Sequence, residues 1–352
     1  MTVLVYNRLQ AIFLKECKKM AERLSVVTGA TGHVGFALIK ELEARGEKFR
    51  ILIRKESKMF DGIDCERAFG DVTDYDSLVK AFEGADVVYH LAGVIEINKG
   101  NEEMTWKVNV DGTKNVVEAC KQCGVKRLVY ASSVDAYPPL PDNQVMREIP
   151  RFNPEKLDGT YAKTKATATN FVFDNNSEEL ETVVVYPGAC CGPYDFKVSS
   201  VGEMVRMFMK GKFPVSLSFG AYNFVDVRDV AKGMVAAADK GTPGEGYILT
   251  DEMVTVDQLI HILADICGFK APSLKIPLGL ANAFAPLMEV YYNAAKKTPL
   301  FTRYSIRKLT SNCNFSIDKA KAELGYEPMG AKQSFKDMVD WIAEYEGAGK
   351  KK

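Results

Sequence analysis

The sequence predicts an α/β fold, a doubly wound parallel sheet with a smaller C-terminal lobe. Through the first half, short β-branched runs alternate with amphipathic stretches of helical period, as a parallel sheet with crossover helices requires. A glycine-rich turn, Thr28-Gly29-Ala30-Thr31-Gly32-His33-Val34-Gly35, falls between the first strand and the first helix. Beyond about Gly188 the pattern loosens into isolated helices separated by Gly/Pro loops such as Gly192-Pro193 and Thr242-Pro243-Gly244.

Taken in order, Leu24 to Thr28 reads as the first strand. Gly35 to Arg45 follows as a helix, with Val34, Leu38, Ile39 and Leu42 on one face and Gly46 as its stop. Phe49 to Ile53 is the second strand, Val87 to Leu91 a buried later one, Glu103 to Cys123 a helix and Arg127 to Ala131 a strand. Thr160 to Phe173 is again helical, and Thr182 to Tyr186 is a strand. Residues 1–21 read as an N-terminal extension, 22–187 as a dinucleotide-binding domain, 188–346 as a substrate lobe interleaved with the end of the sheet, and 347–352 as a tail.

Composition narrows the function. Lys+Arg and Asp+Glu both number 46 in 352 residues, so no global field draws the chain to nucleic acid. No apolar run approaches the ~18 residues of a membrane span, and no cleavable leader is evident. The eight cysteines include one CxxC pair, Cys120 and Cys123, inside a helical stretch, so free thiols in a reducing cytoplasm are expected rather than a metal site.

The glycine-rich turn makes a Rossmann-type dinucleotide site the expectation. Gly29, Gly32 and Gly35 let the backbone approach a pyrophosphate, Thr31, His33 and Val34 line it, and the helix N-terminus supplies N–H groups. An NAD site commonly places an acid after the second strand; here Arg54 and Lys55 stand there, so NADP(H) is favoured and NAD(H) stays open. In Gly70-Asp71-Val72-Thr73-Asp74, Asp71 and Val72 are placed against the adenine, although a carboxylate there also suits a turn cap. Ala92, in Leu91-Ala92-Gly93, allows close approach of the cofactor.

Tyr161 and Lys165 stand one helical turn apart on one face, and an ammonium near a phenol favours the phenolate. Ser133 lies at the C-terminal end of a predicted strand, the edge at which open α/β sheets bind ligands. Together with the glycine turn and Phe224-Val225-Asp226-Val227-Arg228-Asp229-Val230-Ala231, these motifs resemble the extended short-chain dehydrogenase/reductase superfamily over residues 22–346. Tyr186-Pro187-Gly188 and Pro299-Leu300-Phe301-Thr302-Arg303-Tyr304 are similar to the 3β-hydroxysteroid dehydrogenase and dihydroflavonol reductase branch.

The resemblance implies Tyr161 as proton donor or acceptor, Lys165 on the nicotinamide ribose, Ser133 on the reacting oxygen, Pro187 beside the nicotinamide, and Asn109 as support. It also implies a homodimer and a small, apolar alcohol or ketone substrate. A nucleotide-sugar epimerase or dehydratase shares the same layout, but Val134-Asp135 replaces a dehydratase-like Asp-Glu pair and Gly188-Ala189-Cys190 lacks an epimerase-like asparagine. A cofactor-binding regulator that has lost its chemistry is disfavoured because Tyr161 and Lys165 are both present. The apolar stretch from Ile276 to Tyr292 suits either a hydrophobic ligand or an ordinary core helix.

Overall fold

The computed structural model describes residues 23–95, 101–141, 144–211, 215–294 and 303–349, so the expected extension at 1–21 lies outside the described residues. The strands are β1 Leu24–Thr28, β2 Lys48–Ile53, β3 Glu66–Phe69, β4 Val87–His90, β5 Arg127–Ala131, β6 Glu181–Pro187, β7 Ala189–Cys191, β8 Ser216–Leu217, β9 Ala221–Asp226, β10 Gly246–Leu249, β11 Met253–Thr255 and β12 Lys275–Ile276. The α-helices are α1 His33–Ala44, α2 Tyr75–Phe82, α3 Glu102–Trp106, α4 Gly112–Cys123, α5 Thr160–Asp174, α6 Ser200–Met209, α7 Val227–Lys240, α8 Val256–Cys267, α9 Leu278–Ala294, α10 Arg303–Leu309 and α11 Ala331–Gly349.

Two compact units partition the chain. The first holds the residues up to Tyr137 together with Pro150–Val185 and Ala231–Gly246, and the second holds Pro138–Ile149, Tyr186–Val230 and the residues from Tyr247 onward. The expected α/β class is observed, with a seven-stranded sheet in the order β10-β6-β5-β4-β1-β2-β3. From β6 to β3 the pairings are parallel. Strand order reverses between β1 and β4, and such a switch point leaves a crevice at the carboxyl ends of the strands.

Burial explains why these segments are strands and helices. Val26 and Val27 of β1, Val88 of β4 and Leu128 and Val129 of β5 are fully buried, the near-continuous apolar pattern of a sheet covered on both faces. On α1, Leu38, Ile39 and Leu42 are likewise fully buried, and each such side chain contributes about 1.5–3 kcal/mol relative to exposure. Gly46, at φ +66°, stops the helix in the left-handed conformation that favours glycine.

Two features depart from the sequence expectation. The helix expected over Glu103 to Cys123 is interrupted by a π-helical turn at Lys107–Asp111, between α3 and α4. The second unit, expected as isolated helices, contains a three-stranded sheet in the order β11-β9-β7. Those strands are too short for their alternation to show against the surrounding loops. Their core includes Cys191, Phe224, Leu259 and Phe335, and Arg228 braces the unit by pairing with both Asp226 and Asp337 at 2.8 and 2.6 Å. The expected tail begins within α11, which continues to Gly349.

Candidate active site

The glycine turn sits at the switch point, directly after β1. Gly29 has φ +75°, and a Cβ there would lie 2.6 Å from the Ala92 nitrogen and 2.8 Å from the Leu91 oxygen. A Cβ on Gly35 would come within 2.2 Å of the Gly29 oxygen. Both glycines are therefore demanded by packing of the turn, on the end of β4 and on the start of α1 respectively. Gly32 donates its N–H to the Gly29 oxygen at 2.9 Å and serves as the N-cap of α1 without a side-chain hydrogen bond.

No acidic residue occupies the first turn of α1, so the partial positive charge of the helix N-terminus is not offset within the helix itself. His33 is its first residue, and Thr31, His33 and Val34 are half-buried around it. This arrangement fits a pyrophosphate: a closely approachable backbone and an uncapped helix end.

Arg54 follows β2 with its side chain 80% exposed and its guanidinium 3.9 Å from an Asp71 oxygen. The other Asp71 oxygen accepts from the Thr73 amide and hydroxyl at 2.9 and 2.8 Å, which fixes Asp71 as a turn cap. Val72 is buried, and its carbonyl accepts from Asn115 Nδ2 at 3.0 Å.

Beside the end of β5, Ser132 and Ser133 have separate tasks. Thr169 Oγ1 donates to the Lys165 carbonyl at 2.7 Å, so in its 2.7 Å contact with Ser132 Oγ the serine is the donor. Ser132 therefore ties β5 to α5. Ser133 Oγ instead accepts from the Asp135 amide at 3.1 Å, capping the short turn Val134–Ala136 and leaving its own O–H to donate.

On α5, Tyr161 is half-buried at the first turn and Lys165 is buried one turn later. Lys165 Nζ donates to the Ala131 carbonyl at 2.7 Å, contacts the Tyr130 hydroxyl at 3.4 Å and lies 4.9 Å from the centre of that ring. Burial brings its pKa down from 10.5 to about 7. A Cβ on Gly93 would lie 3.5 Å from that ammonium. Ser133, Tyr161 and Lys165 thus belong to one corner of the first unit, together with the glycine turn. Pro187 closes β6, is buried, and belongs to the second unit.

A histidine not singled out from the sequence anchors this corner. His90, at the end of β4, is fully buried between Thr28 Oγ1 at 2.8 Å from Nδ1 and Thr113 Oγ1 at 3.0 Å from Nε2. Thr113 donates its own hydrogen to the Asn109 carbonyl at 2.7 Å, so His90 carries its proton on Nε2 and accepts from Thr28 on Nδ1. Burial, helped by the nearby Lys165, lowers its pKa to about 3 and keeps it neutral. A polar residue closing the apolar run Val87 to Leu91 is the signal that identifies it.

Asn109 completes the frame. Its side chain makes paired hydrogen bonds with the Val94 backbone, 2.8 Å from the amide and 3.0 Å to the carbonyl, and its Nδ2 also donates to Thr164 Oγ1 at 3.1 Å. It therefore clasps α5 to the segment after β4. The CxxC pair serves packing: Cys120 is fully buried, and Cys123 Sγ donates to the Val79 carbonyl at 3.4 Å.

The sheet order and the glycine turn at its switch point are those of the extended short-chain dehydrogenases/reductases. Residues 25–249 match the NAD dependent epimerase/dehydratase family, and the chain belongs to that family. Sterol demethylase protein B of Methylococcus capsulatus is 35% identical over 326 residues, spanning 91% of this chain and 98% of that protein. A 3-beta-hydroxysteroid dehydrogenase of Mycolicibacterium neoaurum is 28% identical over 326 residues, spanning 86% and 87%. The crystal structure of gox2253 superposes with a TM-score of 0.80 at 30% identity, covering 92% of this chain and 99% of that one. The chain is an NAD(P)-dependent dehydrogenase/reductase acting on CH–OH groups, and a nicotinamide dinucleotide is its cofactor.

Two outcomes follow from this geometry. Gly29→Ala is expected to lower the melting temperature by several degrees and to abolish detectable dinucleotide binding, as read by thermal denaturation and by cofactor titration. The second concerns pH. Because the pKa of Lys165 is depressed from 10.5 to about 7, the unfolded chain binds more protons between those values. Stability of the native chain relative to Lys165→Met should therefore rise with pH across that window, by about 1 kcal/mol per unit. Urea unfolding from pH 7 to 10 measures the difference, and a flat difference would rule out a buried, desolvated lysine.

Proposed function

We propose that the chain interconverts a secondary alcohol and a ketone on an apolar, sterol-like substrate, with NADP(H) as the favoured cofactor. The observation that carries this proposal is the grouping at the end of β5: Ser133 with a hydroxyl proton to give, and Tyr161 one turn from a buried Lys165. The relatives named for sterol and hydroxysteroid chemistry support the substrate class.

The bound nicotinamide supplies hydride chemistry; the chain supplies position and protons. Gly29, Thr31, Gly32, His33, Val34 and Gly35 hold the pyrophosphate, and Ala92 gives the dinucleotide a close wall. Asp71 and Val72 face the adenine. Lys165 holds the nicotinamide ribose.

Ser133 donates to the reacting oxygen of the substrate and fixes its place. Tyr161 gives a proton to that oxygen during reduction and takes it during oxidation. Lys165, when protonated, stabilises the Tyr161 phenolate across one helical turn. A lysine whose pKa lies near 7 changes charge within the working range, so this support strengthens as pH falls through neutrality.

Arg54 is placed to recognise a 2′-phosphate. Its only described ion-pair partner, Asp71, is 3.9 Å away, and a guanidinium so exposed gains little from such a pair. A phosphate dianion offers a stronger, bidentate partner.

Tyr161→Phe should lower kcat by about two to four orders of magnitude while leaving the cofactor Kd nearly unchanged. The assay is a panel of 3-hydroxysteroids, flavonoid-like ketones and UDP-sugars followed by nicotinamide absorbance. Near-normal turnover of the variant rejects Tyr161 as the proton donor, and turnover confined to UDP-sugars rejects the apolar substrate. For the cofactor, Arg54→Ala should reduce the NADP/NAD affinity ratio by about tenfold or more, and an unaltered ratio in a binding titration rejects the assignment.

A further inference from the structure

The first turns of helix α9 in the second unit are built inside out. They bury only small side chains, Ala281 and Ala285, which pack with Ile306 of α10. The large apolar side chains of those turns face solvent instead: Leu280 is 47% and Phe284 54% exposed, and Leu274, just before β12, is 63% exposed. Leu280 and Phe284 are four residues apart, so they lie on one face. A surface helix of a globular protein normally has the opposite polarity, with large apolar residues inward and charge outward.

The charge pattern of the sequence that carries this face indicates what covers it. Between Lys275 and Glu289 the sequence has no charged residue. From Gly268 to Lys308 it carries seven basic residues against the single acid Glu289, although the chain as a whole balances at 46 against 46. Lys270 is exposed beside this region, while Lys275 is held by Asp257 at 2.7 Å. An apolar helical face within a basic segment is the composition that settles into the interface of an anionic bilayer. A face used for pairing with a second copy has no need of that excess of one sign, because like charges would meet across the two-fold axis. Among the described residues no helix is long and apolar enough to cross a membrane, so the contact is one of lying on the surface.

We propose that the exposed face formed by Leu280 and Phe284, with the exposed Leu274 in the same basic segment, docks the protein on an anionic lipid surface. The inference stands on exposure and charge, and it does not depend on the substrate assigned above. Flotation of the full chain with vesicles of phosphatidylglycerol and phosphatidylcholine, compared with phosphatidylcholine alone, tests it.

The wild type should float with the anionic vesicles, and raising NaCl should release it. The double variant Leu280→Glu/Phe284→Glu should partition about tenfold or more weakly, with an unchanged melting temperature as the control for folding; if it melts early, Leu280→Ser/Phe284→Ser replaces it. Failure of the wild type to float, equal recovery with neutral vesicles, or flotation of a folded variant at the wild-type level overturns the proposal. A wild-type dimer in sedimentation velocity that the variant converts to monomer assigns the face to a second copy, and also overturns it.

Discussion

A buried lysine is the costliest element of the corner where β5 meets α5. Removing an ammonium from water without a carboxylate partner is unfavourable, and among the described residues Lys165 has none within ion-pairing distance. Its compensation is a backbone carbonyl, that of Ala131, and the face and hydroxyl of Tyr130. Both partners sit on the last two residues of β5, so the strand end and the helix carrying Tyr161 cannot drift apart without stranding a charge. The bond between Ser132 and Thr169 fastens the same two elements a second time.

The side that carries the glycine turn depends on a comparable seam at β1 and β4. There the constraint is neutral: a hydroxyl, an imidazole and a second hydroxyl in series, from Thr28 through His90 to Thr113. Thr28 Oγ1 also accepts from the Ala92 amide at 3.3 Å, so the chain closes on the backbone against which Gly29 packs. A protonated imidazole would turn Nδ1 into a second donor and overturn the bond that Thr28 makes to it, and full burial is what keeps His90 neutral. Both seams converge near Lys165, which explains why its charge is felt at His90.

Much of this was legible in residue order because the relevant signals are local. Strands β1 and β5 begin and end where the sequence predicts them, and the glycine turn lies where a strand yields to a helix. Tyr161 and Lys165 needed only helical spacing to be grouped. Ser133 is singled out by position, but the adjacent Ser132, chemically identical, is distinguishable only once β5 and α5 are placed together. His90 escaped notice because its partners, Thr28 and Thr113, are 62 and 23 residues away, a relation no local pattern records. Strands β7, β9 and β11 escaped for a different cause: at three to six residues each, they are held by one another rather than by their own propensity.

The π-helical turn at Lys107–Asp111 has an evolutionary corollary. One surplus residue in a helix advances the chain by about 100° around the axis, and here that rotation is what allows Asn109 to face Val94 and Thr164 together. Loss of a single codon in this stretch would restore regular helix and turn that amide away, without touching any residue that meets a substrate. Lineages descended from a common ancestor of this chain should therefore keep strict spacing from Trp106 to Gly112.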